Sequence, residues 1–205
     1  MTGKDYFILF LSLVFLLITV ICGFKIFRKH ETRLDRRIKY YFHKMDQNRF
    51  ISFMKIITKF GNSLTIALIN LPVGIYFALK EDYESLTAII TGIFTSFFII
   101  HTLKFFFKRN RPKKFKGINY FGYSFPSAHS GVSMSTYVTV SYILSYNYQI
   151  FYPVITGAFI LASLIALSRI VIAAHWFTDV VFGSVIGLLC AYWSIFLYRI
   201  GFSLF

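Results

Sequence analysis

The sequence predicts an all-α fold, a six-transmembrane-helix bundle with its chemistry-bearing loops clustered at one membrane face. Three observations predict it. The 205 residues are 57% hydrophobic, with a mean hydropathy of +0.63; that is too apolar for a soluble domain of this size. Five stretches carry no charge: Tyr6–Phe24, Phe60–Leu79, Ser85–Leu103, Ser130–Ser168 and Val180–Tyr198. Crossing the hydrocarbon takes about 20 residues of helix. The fourth stretch is near twice that length, so it holds two helices, broken near Ser145–Tyr148 and Pro153. Finally, the polar clusters fall at the ends of these stretches rather than within them. The chain reads as one integral-membrane domain over residues 1–205, with both termini on one side.

In order, Met1–Asp5 is a short tail and the first helix runs to about Lys25. Its apolar run is long, and a basic segment follows instead of a small-residue cleavage site, so it reads as a retained helix. Arg28–Arg49 is basic, with Leu34, Ile38, Tyr41 and Phe42 at helical intervals. That pattern predicts an amphipathic helix at the interface, about 28–49. The second helix spans about Ile51–Leu79, with Lys55 and Lys59 snorkelling and Pro72 kinking it. An acidic turn, Lys80–Glu84, leads to a third helix, Ser85–Phe107. Pro112, Gly117, Gly122 and Pro126 mark Lys108–Pro126 as a loop. Helices four, five and six start near Ser127, Phe151 and Val180. Gly183 and Gly187 form a small-xxx-small pair, used for close packing in the bundle or for a dimer seam; the oligomeric state is left open. Cys22 and Cys190 lie in apolar spans and make no disulfide framework.

The formal charge is +14. Two basic blocks, Lys25–Lys59 and Lys104–Lys116, share a face with Arg169 in a six-span layout. The other face carries Lys4, Lys80 and Arg199, beside Glu81, Asp82 and Glu84. No base-stacking platform or recognition motif accompanies the basic residues, which argues against nucleic acid. Attraction to anionic headgroups or phosphate substrates fits a basic face at a bilayer.

Three clusters carry chemistry. Lys104-x6-Arg111-Pro112 places two long cations seven residues apart, on one helix face, where they can converge on one anion. Pro112 disfavours helix at Arg111 and should swing its guanidinium inward. Alternatively the segment is a snorkelling basic cap, a reading that accounts for Lys108 and Arg109. Pro126-Ser127-Ala128-His129 starts a helix with a good N-cap, whose first-turn N–H groups suit an anion. His129 there could protonate a bound phosphate ester, although such a string is often an ordinary helix start. In Ser168-Arg169-x5-His175-x3-Asp179, His175 and Asp179 share a helix face. The carboxylate can hold one imidazole nitrogen as N–H and leave the other as a nucleophile. A turn between Arg169 and His175 would fold the guanidinium back toward the imidazole. His-x-x-x-Asp could also be half of a metal site, but no second ligand pair is near and the neighbours are cations.

Together the clusters resemble the type-2 phosphatidic acid phosphatase superfamily, the haloperoxidase-like membrane lipid phosphatases, with its K-x6-R-P, P-S-x-H and S-R-x5-H-x3-D motifs. Every fixed position is present; Ala128 stands where that family often has glycine, which puts the local loop geometry in question. The resemblance implies His175 as the nucleophile that forms a phosphohistidine, and Asp179 as its orienting carboxylate. It implies His129 as the acid that protonates the leaving oxygen and then activates water. Lys104, Arg111, Arg169, Ser127 and the Ala128 N–H would bind the phosphoryl oxygens. It further implies a metal-independent phosphoric monoester or lipid pyrophosphate hydrolase that needs no cofactor. Undecaprenyl pyrophosphate, phosphatidylglycerophosphate and phosphatidate are the candidate substrates. The expected setting is multi-pass in the plasma membrane with the site facing outward, although the Lys and Arg count of the loops favours the cytoplasm. A non-catalytic lipid-phosphate-binding or scaffold protein is the alternative, and a vanadate-loaded haloperoxidase a third; the first has no use for both His129 and His175, and the second is typically soluble. His101, one turn before Lys104, reads as an outer support or an interfacial residue, and His30 and His43 as interfacial. Tyr41, Tyr120, Tyr123 and Trp176 read as an aromatic belt.

Overall fold

The computed structural model describes residues 3–24, 31–44, 48–112, 122–148 and 151–204, and every regular element among them is helical. In chain order these are α1 (Gly3–Cys22), α2 (Arg33–Lys44), α3 (Asn48–Ile57), a 3₁₀ turn (Thr58–Gly61), α4 (Ser63–Leu79), α5 (Tyr83–Phe107), α6 (Ala128–Tyr148), α7 (Phe151–Val171) and α8 (Phe177–Arg199). Lys25, His30, Tyr120 and the middle of the expected Lys108–Pro126 loop, 113–121, lie outside the described residues, as does the His43 side chain.

Helix α6 is the centre, packed against α5, α7 and α8 at once. Its composition explains why it can be. Lipid tails are as apolar as leucine, so helices in a bilayer associate by close packing and polar contacts. Ser130, Ser133, Ser135, Thr136, Thr139, Ser141 and Ser145 are all buried on this helix. Ser135 Oγ donates to the Gly92 carbonyl of α5 at 2.8 Å. On the α8 side the glycines decide the approach. A Cβ on Gly183 would sit 2.5 Å from the Ser127 carbonyl oxygen, and one on Gly187 would collide with the Gly131 carbonyl. The Gly183/Gly187 pair is therefore spent inside this bundle. The same contact brings the first turn of α6 against that of α8, where Ser127 N–H donates to the Asp179 carbonyl at 2.9 Å.

Four helices are long and apolar enough to cross a membrane, α1, α5, α7 and α8, and α3 with α4 makes a fifth if that bent pair is one span. This is a multi-pass membrane protein. The expected six spans are not reached by this measure, because the serines and threonines of α6 keep it off the count. α1 is the peripheral member, with 11% of its apolar window buried. It is pinned to α8 by Tyr192 Oη on Asp5 and by Trp193 Nε1 on Ser12 Oγ, at 2.8 and 3.2 Å.

One expectation needs correction here. The predicted Ile51–Leu79 helix is broken at Thr58–Asn62, with a bend of 52°, whereas α4 runs on through Pro72. Gly61-Asn62-Ser63 is the physical cause, three turn-forming residues in a row. The basic segment expected as a helix over about 28–49 forms α2, and its Ile38 and Phe42 pack against Ala166, Ile170, Phe177 and Val180 of α7 and α8. Leu34 and Tyr41 are left exposed.

Candidate active site

Two turns and one helix break meet at this end of the bundle. After α7 the chain reverses through Ile172–Trp176. The Ala174 and His175 N–H groups both donate to the Arg169 carbonyl, at 3.0 and 3.1 Å, and Ala173 takes the left-handed region at φ +52°. This is the expected turn between Arg169 and His175. A non-glycine residue there is strained by roughly 1–2 kcal/mol, a cost the two bonds to Arg169 help offset. The Arg169 guanidinium donates to Thr58 Oγ1 at 2.6 Å, which ties it to the break before α4.

The second turn follows α5, which Lys108 ends in a left-handed cap at φ +47°. The chain then runs alongside its own return. Ser124 N–H donates to the Arg109 carbonyl at 2.8 Å, and Ser124 Oγ to the Asn110 carbonyl at 3.0 Å. Trp176 Nε1 donates to the same Asn110 carbonyl at 2.9 Å, so this turn and the one before α8 are stitched together.

The consequence is a defined tautomer at His175. Its Nδ1 lies 2.7 Å from the Ser124 carbonyl oxygen, which can only accept, so Nδ1 carries the proton. Arg111 Nη1 donates to Nε2 at 3.0 Å, which requires a lone pair there. Arg111 is held by the Ala174 and Gly122 carbonyls, at 2.9 and 3.0 Å. Burial disfavours the His175 imidazolium, and Lys104, Arg111 and Arg169 press its pKa further down, well below the ordinary histidine value. Asp179 does not make the expected bond to this ring. Its Oδ2 is 3.6 Å from Nδ1 and instead accepts the Trp176 N–H at 2.9 Å, as the N3 carboxylate of a capping box. The helix start took one oxygen and Arg109 the other.

A cavity of about 330 Å³ opens beside this group. Lys104, Arg111, Ala128, His129 and His101 line its polar side, and Ile66, Phe97 and Val132 its apolar side. Lys104 Nζ donates to the Tyr123 carbonyl at 2.8 Å. His129 Nε2 donates to Asn62 Oδ1 at 2.8 Å. Ser127 is fully buried beneath the wall, where its Oγ accepts from Ser130 N–H and O–H, at 3.4 and 2.8 Å; it caps α6 as expected. Ala128 opens α6 without a positive φ, so glycine's freedom is not needed there.

Sequence reasoning missed four participants. Ser124 is a backbone acceptor, and nothing in a side-chain pattern announces that. Asn62 sat inside a run read as continuous helix, although Gly61-Asn62-Ser63 was its signal. Arg109 and Asp35 are buried, 2% and 1% exposed. Arg109, read as a snorkelling cap, is thus corrected, and so is Trp176, which lies buried 5.6 Å from the Arg109 guanidinium rather than in an aromatic belt. Asp35 would be driven up by burial. The Thr178 N–H and the Arg109 guanidinium outweigh that and hold it below the usual carboxylate value.

An all-helical membrane bundle with two imidazoles and three fixed cations at one end defines a class able to act on phosphate esters at a bilayer. Residues 85–200 match the PAP2 superfamily, and the chain belongs to it. Among solved structures it is similar to the first transmembrane PAP2 type phosphatidylglycerolphosphate phosphatase from Bacillus subtilis, with a TM-score of 0.80 and 22% identity over 91% of this chain and 95% of that one. It is also similar to LpxE of Aquifex aeolicus, with a TM-score of 0.63 and 22% identity over 80% and 96%. No curated protein sequence matches it.

Proposed function

We propose that the chain is a membrane lipid phosphatase that removes the terminal phosphate of a lipid phosphate or pyrophosphate through a phosphohistidine, without a metal. The observation that carries this reading is the His175 tautomer. A neutral imidazole with its lone pair on Nε2, beside a cavity lined by Lys104, Arg111 and His129, is a nucleophile ready for phosphorus.

In the resting site Arg111 covers that lone pair. A terminal phosphoryl group would take the position, with the guanidinium moving onto its oxygens. Lys104, Arg169 and the Ala128 N–H would spread over the remaining charge, which is most of what phosphoryl transfer asks of a protein. Nε2 then bonds to phosphorus as the bond to the lipid oxygen breaks, and His129, entering as the imidazolium beside the bound phosphate's negative charge, gives that oxygen its proton. The phosphohistidine carries positive charge on the ring, which the Ser124 carbonyl and Asp179 stabilise. His129, now neutral, takes a proton from water, whose oxygen bonds phosphorus and releases Nε2. Asn62 fixes the ring from which these protons move. Ser127 supports the loop instead of binding oxygen.

The apolar side of the cavity, Ile66, Phe97 and Val132, suits the first carbons of a tail. Undecaprenyl pyrophosphate, phosphatidylglycerophosphate and phosphatidate all present the same terminal group, and the phosphatidylglycerolphosphate phosphatase among the similar structures favours a glycerophospholipid. We place the protein in the plasma membrane with the site outward. Purified protein should release inorganic phosphate from these lipids with chelator present. A rate unaffected by His175→Ala would end the proposal.

A further inference from the structure

The reaction above uses Asp179 but not the buried ions that hold it. The Arg109 guanidinium bridges two carboxylates that come from different parts of the chain. Nη1 donates to Asp179 Oδ1 and, at 2.8 Å, to Thr178 Oγ1, while Nη2 donates to Asp35 Oδ2 at 2.6 Å. Asp35 is itself fully engaged. Oδ1 accepts the Thr178 N–H at 2.9 Å, and Oδ2 the Thr32 N–H at 3.1 Å, in the box that starts α2. The start of α2, the turn after α5 and the first turn of α8 therefore converge on one set of bonds.

Three buried charges are an expensive way to hold helices together, since apolar residues of similar volume often do so as well or better. Ile38 and Phe42 already supply that apolar packing for α2. What the ions add is direction. With the Trp176 N–H on Oδ2 and Arg109 on Oδ1, the Asp179 carboxylate has one orientation, 3.6 Å from His175 Nδ1. We propose that Asp35 and Arg109 are positioning residues: Arg109 fixes Asp179 where it meets the charge that forms on His175 when phosphorus is attached, and Asp35 fixes Arg109. This rests on reading His175 as the nucleophile. It also makes α2, a basic helix far away in sequence, part of the support of the site.

The test uses the full chain in detergent, with Arg109→Gln and Asp35→Asn. Two probes separate the roles. Inorganic phosphate needs only the cations of the cavity, whereas orthovanadate becomes five-coordinate on an imidazole nitrogen and mimics the transition state. The variants should lose about tenfold or more in orthovanadate affinity and in kcat for phosphatidate, while inorganic phosphate affinity and KM stay within about threefold. Equal loss of both anions, or of neither, overturns the proposal. Asp35→Asn keeps an oxygen for the Thr178 N–H and carries the test if Arg109→Gln does not fold; loss of folding in both assigns the network to stability alone and also overturns it. A wild type that shows the Arg109-dependent vanadate preference but releases no phosphate sinks the phosphatase reading and leaves positioning intact. A wild type that releases phosphate, with variants equal to it in kcat and vanadate affinity, does the reverse.

Discussion

The two ends of the bundle solve the same problem in different ways. Each must satisfy the polar groups that helix termini expose. At the far end, the α4–α5 turn is capped from nearby in sequence: Asp82 accepts the Ser85 N–H and hydroxyl, at 3.0 and 2.7 Å. Two of its longer-range contacts, Tyr76 to Tyr148 and Tyr198 to Asn147, are exposed, and a third, from the Leu204 N–H to Thr87 Oγ1, is partly buried. At the site end the partners are distant in sequence and buried. His175 finds Ser124, Arg109 finds Asp35 and Asp179, and Arg169 finds Thr58. Local capping ends a helix and does little else. Capping by distant segments fixes their relative positions, and fixed dipoles and charges are what a developing negative charge requires.

The sharpest way to break this comparison is to disturb each end in turn and measure lipid phosphate release. His175→Ala should reduce it by about 10³-fold or more, because the covalent route is lost. Arg111→Gln should cost about 10²-fold, as the loss of one charge-stabilising donor does. Arg199→Gln, a cation lost from the far end, should leave the rate within about twofold, since an exposed charge remote from the cavity contributes little. If Arg199→Gln matched Arg111→Gln, the cations would be acting through net charge at the bilayer, and the distinction between the ends would collapse.

Side-chain patterns announced the site better than they announced its supports. Lys104, Arg111, His129, Arg169, His175 and Asp179 could be named because chemistry demands particular residue types at fixed spacings. Of these, Lys104, Arg111 and His129 reach one cavity, and Arg111 touches His175. The helices were legible from apolar runs, with α5 to α8 close to their predicted bounds. Ser124 was invisible because it acts through its carbonyl. Asp35 was missed and Arg109 misread because a charged residue in a basic stretch looks solvated until a tertiary partner buries it. The uncharged Ser130–Ser168 stretch predicted α6 as a span, and its buried serines fit a helix enclosed by protein.

Smaller effects sharpen the contrast. Asn62→Leu removes the acceptor that orients His129, so kcat should fall about tenfold with KM little changed. Asp82→Ala removes a local cap that accepts both the Ser85 N–H and its hydroxyl, and should cost about 1 kcal/mol of stability in a detergent melt, with phosphate release unchanged. A drop in rate for Asp82→Ala would show that rigidity at either end reaches the cavity.

The smallest effect is a stability slope with pH, and its sign follows from His175. The folded protein keeps this imidazole neutral below its ordinary pKa, because burial and the three cations oppose the proton. The unfolded chain binds that proton below about pH 6.5. Between the unfolded value and the depressed folded one, the unfolded state holds more protons, so stability is full above about pH 6.5 and falls as the pH drops below it. Asp35 contributes in a separate window, since its depressed pKa matters only near and below the ordinary carboxylate value. Melts of wild type and His175→Asn at pH 7.5 and pH 5.5 isolate the first contribution, because asparagine has no proton to take up. The wild type should lose more of its melting temperature across that interval than the variant does. Equal losses would mean that the imidazole protonates in the folded state, and the neutral, lone-pair-ready His175 on which the resting site depends would have to be given up.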